Sequence, residues 1–390
     1  MTNKNNKIVH TYSTINPLLN VLFLFQYGLL IPFLLRFESM TPIVIFTVFL
    51  TLICVLANGI KIIKHVFWLI CIPLLLILLK TVVTPVLIGE DNTNDILLGF
   101  LSIGVSGILI GSASYNFNRF LYYGTIVGWM NFAILFLIPV LRMDGMSYMR
   151  FGYAMLPTFF FSVYSLFRKE HKIINGLIVL ISGIEIILFG ARGSFMAICI
   201  FLGIVFFLCL KRRENLLFQT VLLTILIILI LFYDSILVEA DRLLRSFGYS
   251  SYSVMKFLKL VEGTGDIEST SSGRFRIYQV ALKQVAENPV FGSPLNSSLI
   301  TAGISYYHNV FFDVVVNFGI VLFLCFFLLI SKSYIEATKA DDMQLRWIYC
   351  ILFVLSFGRL IVSSVFWQRP EFWLFLSFYI TKRKSFLKRK

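Results

Sequence analysis

Tyr306-Tyr307-His308-Asn309-Val310-Phe311-Phe312 marks the point where a long polar segment gives way to an apolar run. Behind it lie 76 residues, 234–309, that a bilayer cannot hold, in a chain otherwise built of apolar runs. The segment carries seven basic and seven acidic residues, so it is polar without being a charged tail. In a chain of this kind, the one sizeable polar segment is where chemistry on a water-borne or headgroup-borne substrate is expected.

Hydrophobic residues make up 58% of the chain and charged residues only 14%. Those values lie outside the soluble globular range and inside that of polytopic membrane proteins. Runs of about 17 to 25 apolar residues cross a bilayer as helices. Twelve are read, at roughly 17–35, 41–60, 66–88, 96–113, 120–141, 151–167, 173–190, 194–210, 216–233, 310–331, 346–364 and 368–381, the last being short. The expected fold is an all-α polytopic membrane protein of about 12 transmembrane helices. Nine lie in 1–233 and three in 310–390, with the large loop 234–309 between helices nine and ten. The polar N-terminus runs directly into a full-length first span, so no cleavable leader is expected. Nine spans against three is lopsided for an inverted-repeat transporter.

The net charge of +14 is mostly a topology signal. With a cytoplasmic N-terminus, 20 of the 34 Lys and Arg fall in inner segments, including Lys211-Arg212-Arg213 and the six of the tail from Lys382. The short outer loops hold only Arg36, Arg142, Arg150, Arg192 and Arg369, and the loop at 89–95 is purely acidic. This positive-inside pattern predicts a cytoplasmic-membrane protein with both termini in the cytoplasm and 234–309 outside. The remaining basic excess attracts anionic inner-leaflet lipid, and nucleic acid is not an expected partner. All six cysteines fall in apolar runs, so packing thiols are expected rather than disulfides or a cysteine metal site.

Within the loop, Ser271-Ser272-Gly273 offers hydroxyl caps to an amphipathic helix over 274–287 that Asn288-Pro289 stops. Tyr278, Leu282 and Val285 share one face of it. Its first turn presents Arg274, Arg276 and free backbone N–H groups together, an anion-binding end. Gly292, Pro294 and Gly303 indicate a turn-rich crossing back to the membrane. Upstream, residues 241–260 mix Arg242, Arg245, Lys256 and Lys259 with aromatic residues. They read first as an interfacial amphipathic segment and second as a sugar-contacting surface.

His308 is the one histidine of four on the expected outer face. An imidazole there can take a proton from a sugar hydroxyl or donate one, the alternative being that it anchors the tenth span. Arg192 sits in Gly190-Ala191-Arg192-Gly193-Ser194, a tight break between two spans. Its fork matches phosphate oxygens, and a snorkelling arginine is the alternative. Arg274, with Arg276 two residues on, is a third candidate beside the common reading of a solvated charge. Asp313, just over one turn inside from His308, is placed to orient it. Glu185 calls for a basic partner from another span, and Lys80 and Arg359 read equally as structural pairs or substrate contacts. The outer loop has no Asp-x-Asp triplet, second histidine or cysteine, so no metal site is expected. No glycine-rich loop ends in Lys-Ser/Thr, so nucleotide hydrolysis is not indicated.

Arg192-Gly193 opening a span, Ser272-Gly273-Arg274 starting a loop helix, Asn288-Pro289 followed by Gly292, then His308-Asn309 and Asn317-Phe318-Gly319-Ile320 form an ordered set. The set resembles the O-antigen ligase/polymerase family, the Wzy and WaaL type of bacterial membrane glycosyltransferase. The resemblance is densest over about 190–325. Phe291-Gly292-Ser293-Pro294 departs from the Gly-x-Gly type turn of relatives, so Gly292 is assigned no ligand role. The resemblance implies a twelve-span, GT-C-like architecture and glycan transfer from undecaprenyl diphosphate, with no cofactor, metal or nucleotide sugar. It also implies Arg192, Arg274 and His308 as the functional residues, to which Arg276, Asn309, Asp313 and Arg245 are added as candidate substrate contacts. The implied partners are undecaprenyl-diphosphate-linked oligosaccharide donor and acceptor, membrane lipid, and flippase and chain-length regulator proteins.

Four functions compete. A polymerase joining lipid-linked repeat units into capsule, O-antigen or exopolysaccharide is preferred, the Ile-, Phe-, Lys- and Asn-rich composition suggesting an AT-rich genome. A ligase moving finished glycan onto a lipid or protein acceptor uses the same chemistry. A transporter or flippase of lipid-linked glycan or a small anion predicts a role for Lys80, Glu185 and Arg359 and a dispensable His308. A structural assembly protein predicts that no single outer residue matters.

Overall fold

A computed structural model describes residues 2–37, 39–88, 93–113, 116–140, 148–209, 233–246, 273–295, 307–362 and 365–387, with single positions at 220, 224, 231 and 303. Most of the expected ninth span, the segment 247–260, the Ser271-Ser272 caps, Glu90, Asp91, Arg142 and Lys211-Arg212-Arg213 lie outside the described residues. In chain order the helices are α1 (Thr2–Leu29), α2 (Ile31–Phe37), α3 (Thr41–Asn58), α4 (Lys61–Ile88), α5 (Thr93–Gly99), α6 (Val105–Ser112), α7 (Phe117–Val140) and α8 (Tyr148–Phe167). Then follow α9 (Lys172–Phe189), α10 (Arg192–Cys209), α11 (Tyr233–Ser246), α12 (Arg274–Glu287), α13 (Val310–Lys339), α14 (Met343–Leu360) and α15 (Pro370–Leu387). Among the described residues there is no strand.

Among the described residues six helices are long and apolar enough to cross a membrane, or seven if one bent pair counts as a span, and shorter apolar helices cover Ile96–Ser112 and Gly193–Leu208. The protein is an all-α, multi-pass membrane protein. The bent pair is Ile15–Leu29 and Ile31–Phe37, which meet at 43°. Pro32 accounts for the bend, because it has no N–H to donate and its ring clashes with the preceding turn.

The chain divides into two compact units, Met1–Gly124 with Arg276–Lys390, and Thr125–Phe275. In the first, α14 is the centre: 72% of its apolar window is buried, against 17% for Lys61–Lys80 of α4. A helix that is apolar and buried on all sides is core, whereas one apolar and exposed faces hydrocarbon. Asp342 starts α14 by accepting from the Gln344 and Leu345 N–H groups at 2.8 and 3.4 Å. α15 lies so close to α6 that a Cβ on Gly111 would sit 2.8 Å from the Leu374 carbonyl oxygen. Small residues allow such approach between membrane helices.

In the second unit, α8 and α9 form a hairpin whose turn Asn175 holds. Its Nδ2 donates to Ser165 Oγ at 2.9 Å and to the Glu170 carbonyl at 3.0 Å, while its Oδ1 accepts from Trp129 Nε1 at 2.9 Å. α10 packs on α8, with Phe201 stacked on Phe160 at 4.0 Å.

Hydropathy reads 310–331 as one continuous span, but α13 is broken at Gly319, where φ is 79° and ψ 176°. Essentially only glycine adopts that backbone. In an unbroken helix the Ile320 N–H would donate to the Val316 carbonyl. Here the loop after α12 takes both groups: Ile320 N–H donates to the Pro289 carbonyl at 2.9 Å, and Ser293 N–H donates to the Val316 carbonyl at 2.6 Å. Unpaired backbone groups within a bilayer cost several kcal/mol each, so this exchange is what makes the break tolerable. The two backbones touch. A Cβ on Gly319 would lie 2.0 Å from the Val290 carbonyl oxygen, and one on Gly292 would lie 2.6 Å from Gly319 N. Gly319→Ala is therefore expected to destabilise the protein by more than about 2 kcal/mol, because backbone strain of this kind costs about 1–3 kcal/mol and the Val290 carbonyl must also move. Thermal unfolding in detergent measures it, with Gly203→Ala, a helical position that meets nothing within 4 Å, as the control expected to show no loss of stability.

Candidate active site

α12 starts behind Gly273, whose φ is 74°, and buries Ala281 and Gln284 with Ile277 and Val285 beside them. Leu282, expected on the packed face, is 60% exposed. The inward stripe runs instead through Ile277, Ala281 and Gln284, spaced as one helical face requires. Tyr278 stays at its edge, stacked on Phe312 with ring centroids 4.9 Å apart. Tyr307 and Val316 complete this small core from the α13 side.

His308 sits between two fixed residues. Before it, buried Tyr307 donates its O–H to Gln284 Oε1 and its N–H to Asp313 Oδ1, the latter at 3.2 Å. After it, Asn309 caps α13: its Oδ1 accepts from Phe311 N–H at 2.9 Å and its carbonyl from Asp313 N–H at 2.9 Å. Asn317 Nδ2 then donates to the Asp313 carbonyl at 2.8 Å. Between these anchors His308 is half-buried with φ 55°. Left-handed backbone costs a non-glycine residue roughly 1–2 kcal/mol, and such strain persists only where the surroundings over-determine it. The imidazole is thus presented by a backbone that has been fixed on both sides. Asp313 reaches His308 through that backbone, by binding the residue before it. Its Oδ2 is buried with no hydrogen-bond partner among the described residues.

Arg274 is the first residue of α12, and its Nε is buried with no hydrogen-bond partner among the described residues. A guanidinium with donor capacity at a helix N-terminus is suited to an anion. Arg276 is exposed in the same turn. Arg245 is exposed on α11 and donates from Nε to Asp241 Oδ2 at 2.7 Å, so one edge of its fork is engaged within its own helix. Arg192 begins α10, and its side chain lies outside the described residues. The backbone around it is tightly held: Ser194 Oγ donates to the Ala191 carbonyl at 2.6 Å, and a Cβ on Gly152 of α8 would lie 3.0 Å from Ala191 N. Glu185, buried in α9, leaves Oε2 without a hydrogen-bond partner among the described residues.

The structure thus brings His308, Asn309 and Asp313 together at the head of α13, with α12 packed against them. Arg192, Arg245 and Arg274 belong to the second unit. Sequence reading missed Gln284, Tyr307 and Asn317 as supports. A buried Gln at the apolar spacing of α12 and a Tyr beside the candidate histidine were the signals available. Among the described residues, no three His, Cys, Asp or Glu side chains converge as metal ligands would.

Residues 177–327 match the model of the family described as O-antigen ligase. The matched stretch contains Arg192, Arg274, His308 and the Gly319 break, and it supports membership of the O-antigen ligase/polymerase family of membrane enzymes without separating polymerases from ligases. Neither the curated proteins nor the solved structures give a match.

Loss of the cap in Asn309→Ala is expected to destabilise by about 1 kcal/mol, while Asn309→Asp keeps the acceptor and most of the stability. Unfolding midpoints of the two variants in detergent, compared with the parent, check this.

Proposed function

We propose that the protein polymerises undecaprenyl-diphosphate-linked oligosaccharide repeat units at the outer face of the cytoplasmic membrane, yielding capsule, O-antigen or exopolysaccharide. One observation carries the reading: the family match over 177–327 encloses Arg192, Arg274 and the strained, doubly anchored His308.

In the proposed reaction an acceptor sugar hydroxyl attacks the anomeric carbon of the donor glycan. The new C–O bond forms as the bond to the diphosphate oxygen breaks, and that electron pair leaves with the lipid diphosphate. Arg192 and Arg274 hold the diphosphate and stabilise the negative charge that grows on it. His308 takes the hydroxyl proton, and its fixed backbone supplies the positioning that this transfer needs. Arg276 is assigned a further phosphate or sugar contact, and Arg245 a peripheral one through the edge of its fork not bound to Asp241. Asn309 and Asp313 serve by holding His308 in place.

The description of the matched family favours one second reading, a ligase that moves finished glycan onto a lipid or protein acceptor with the same three residues. Purified protein in lipid nanodiscs, given synthetic undecaprenyl-diphosphate repeat units, separates the two. A polymerase lengthens the glycan; a ligase needs a distinct acceptor and performs one transfer. Arg192→Ala, Arg274→Ala and His308→Ala are each expected to lower the rate by about a hundredfold or more in folded protein. Arg→Lys at both arginines is also expected to be poor, because a point charge lacks the bidentate fork. A parent protein that transfers nothing, yet moves the substrate across vesicle membranes, sinks the reading.

A further inference from the structure

Lys80 lies in the apolar part of α4, and an ammonium there is rare unless it is paired or functional. Its Nζ donates to three successive carbonyls, those of Phe291 at 2.7 Å, Gly292 at 3.3 Å and Ser293 at 3.1 Å. Three carbonyl dipoles aimed at one point repel one another unless a cation occupies it. A lysine ammonium, with three donors on a compact charge, matches such a cage better than the planar guanidinium does.

The gripped residues are the ones that fill the α13 break. Ser293 N–H binds the Val316 carbonyl, and Pro289, two residues before Phe291, accepts from Ile320 N–H. The backbone of α13 leaves helical geometry at Gly319, so helix continuity alone does not set the direction of its N-terminal part. The loop seated in the break bonds both sides of it. The same loop continues from α12, where Asn288 N–H donates to the Gln284 carbonyl at 3.0 Å, and Gln284 accepts the Tyr307 hydroxyl. The grip of Lys80 therefore reaches His308 from both sides, through α13 and through α12.

We propose that Lys80 is a positioning residue for the transfer reaction: it clamps Phe291–Ser293 into the α13 break and so fixes the head of α13, with His308, Asn309 and Asp313. The kinetic part of this inference rests on the proposed transfer activity; the clamp itself does not.

Two measurements on the full-length protein in nanodiscs test it. Hydrogen exchange is read on peptides covering 288–293, 307–320 and, as a reference, 343–360. In Lys80→Met the first two are expected to exchange about tenfold faster or more, with the reference unchanged, as loss of charge-assisted bonds within a local opening requires. Transfer kinetics on the lipid-linked donor are expected to show kcat lowered between about tenfold and a hundredfold with KM for the donor unchanged. Lys80→Arg, which keeps the charge, is expected to recover part of kcat. If Lys80→Met does not accumulate, Lys80→Gln is read in the same way.

Unchanged exchange at 288–293 and 307–320 overturns the clamp. Faster exchange with the parent kcat overturns the positioning role, and so does a raised KM with kcat unchanged, which marks a substrate contact. Faster exchange of the reference peptide as well reduces Lys80 to a general stability residue and overturns the proposal. An inactive parent protein overturns the transfer reading and with it the kinetic role, whereas altered exchange in that case still supports the clamp.

Discussion

Two backbone hydrogen bonds at the Gly319 break hold the candidate site in place. Bilayer interiors offer no water, so an open backbone group there must find a protein partner or cost several kcal/mol. Breaking α13 frees the Ile320 N–H and the Val316 carbonyl, and the loop from Pro289 to Ser293 supplies one acceptor and one donor in register. The seat is narrow. Gly319 and Gly292 meet where a Cβ on either would strike the opposite backbone. The break, the loop and the two glycines therefore interlock through paired backbone groups and close backbone contact.

From that unit the site follows outward. The seated loop fixes how α12 meets α13, which buries Ala281, Tyr307 and Val316 together. Tyr307 is then bound at its hydroxyl by Gln284 and at its N–H by Asp313, and Asn309 caps the helix one residue beyond His308. His308 is left with a backbone conformation it would not choose alone. Strain of that sort persists because neighbouring contacts outweigh it, and it is most useful where a reacting group must not wander. Arg274, the first residue of α12, has an Nε that is buried with no hydrogen-bond partner among the described residues, which suits it to an anion.

Much of this was legible locally. The composition and the length of the apolar runs point to a helical membrane protein, as the structure shows. The order of Arg192-Gly193, Gly273-Arg274, His308-Asn309 and Asn317–Ile320 points to the family that the match over 177–327 supports. Other details were not. Leu282 keeps a helical spacing with Tyr278, yet the helix is turned so that Ile277, Ala281 and Gln284 face inward. Asp313 sits one turn from His308, close enough to suggest ring orientation, but its carboxylate engages the Tyr307 N–H. Lys80 read equally as a pair or a substrate contact because backbone carbonyls, its actual partners, belong to every residue type alike.

The sequence by itself determined the class of molecule, because hydropathy, charge distribution and helix signals are properties of residues and their near neighbours. It also marked Asn288–Gly292 and Asn317–Ile320 as separate motifs. Only the tertiary structure decided that these two motifs interlock, that α13 is two half-helices at Gly319, and that a lysine 211 residues from Phe291 grips the joint. The reason is physical. These contacts depend on main-chain atoms of segments distant along the chain, and main-chain atoms leave little mark in a sequence beyond the missing side chain of a glycine and the missing N–H of a proline.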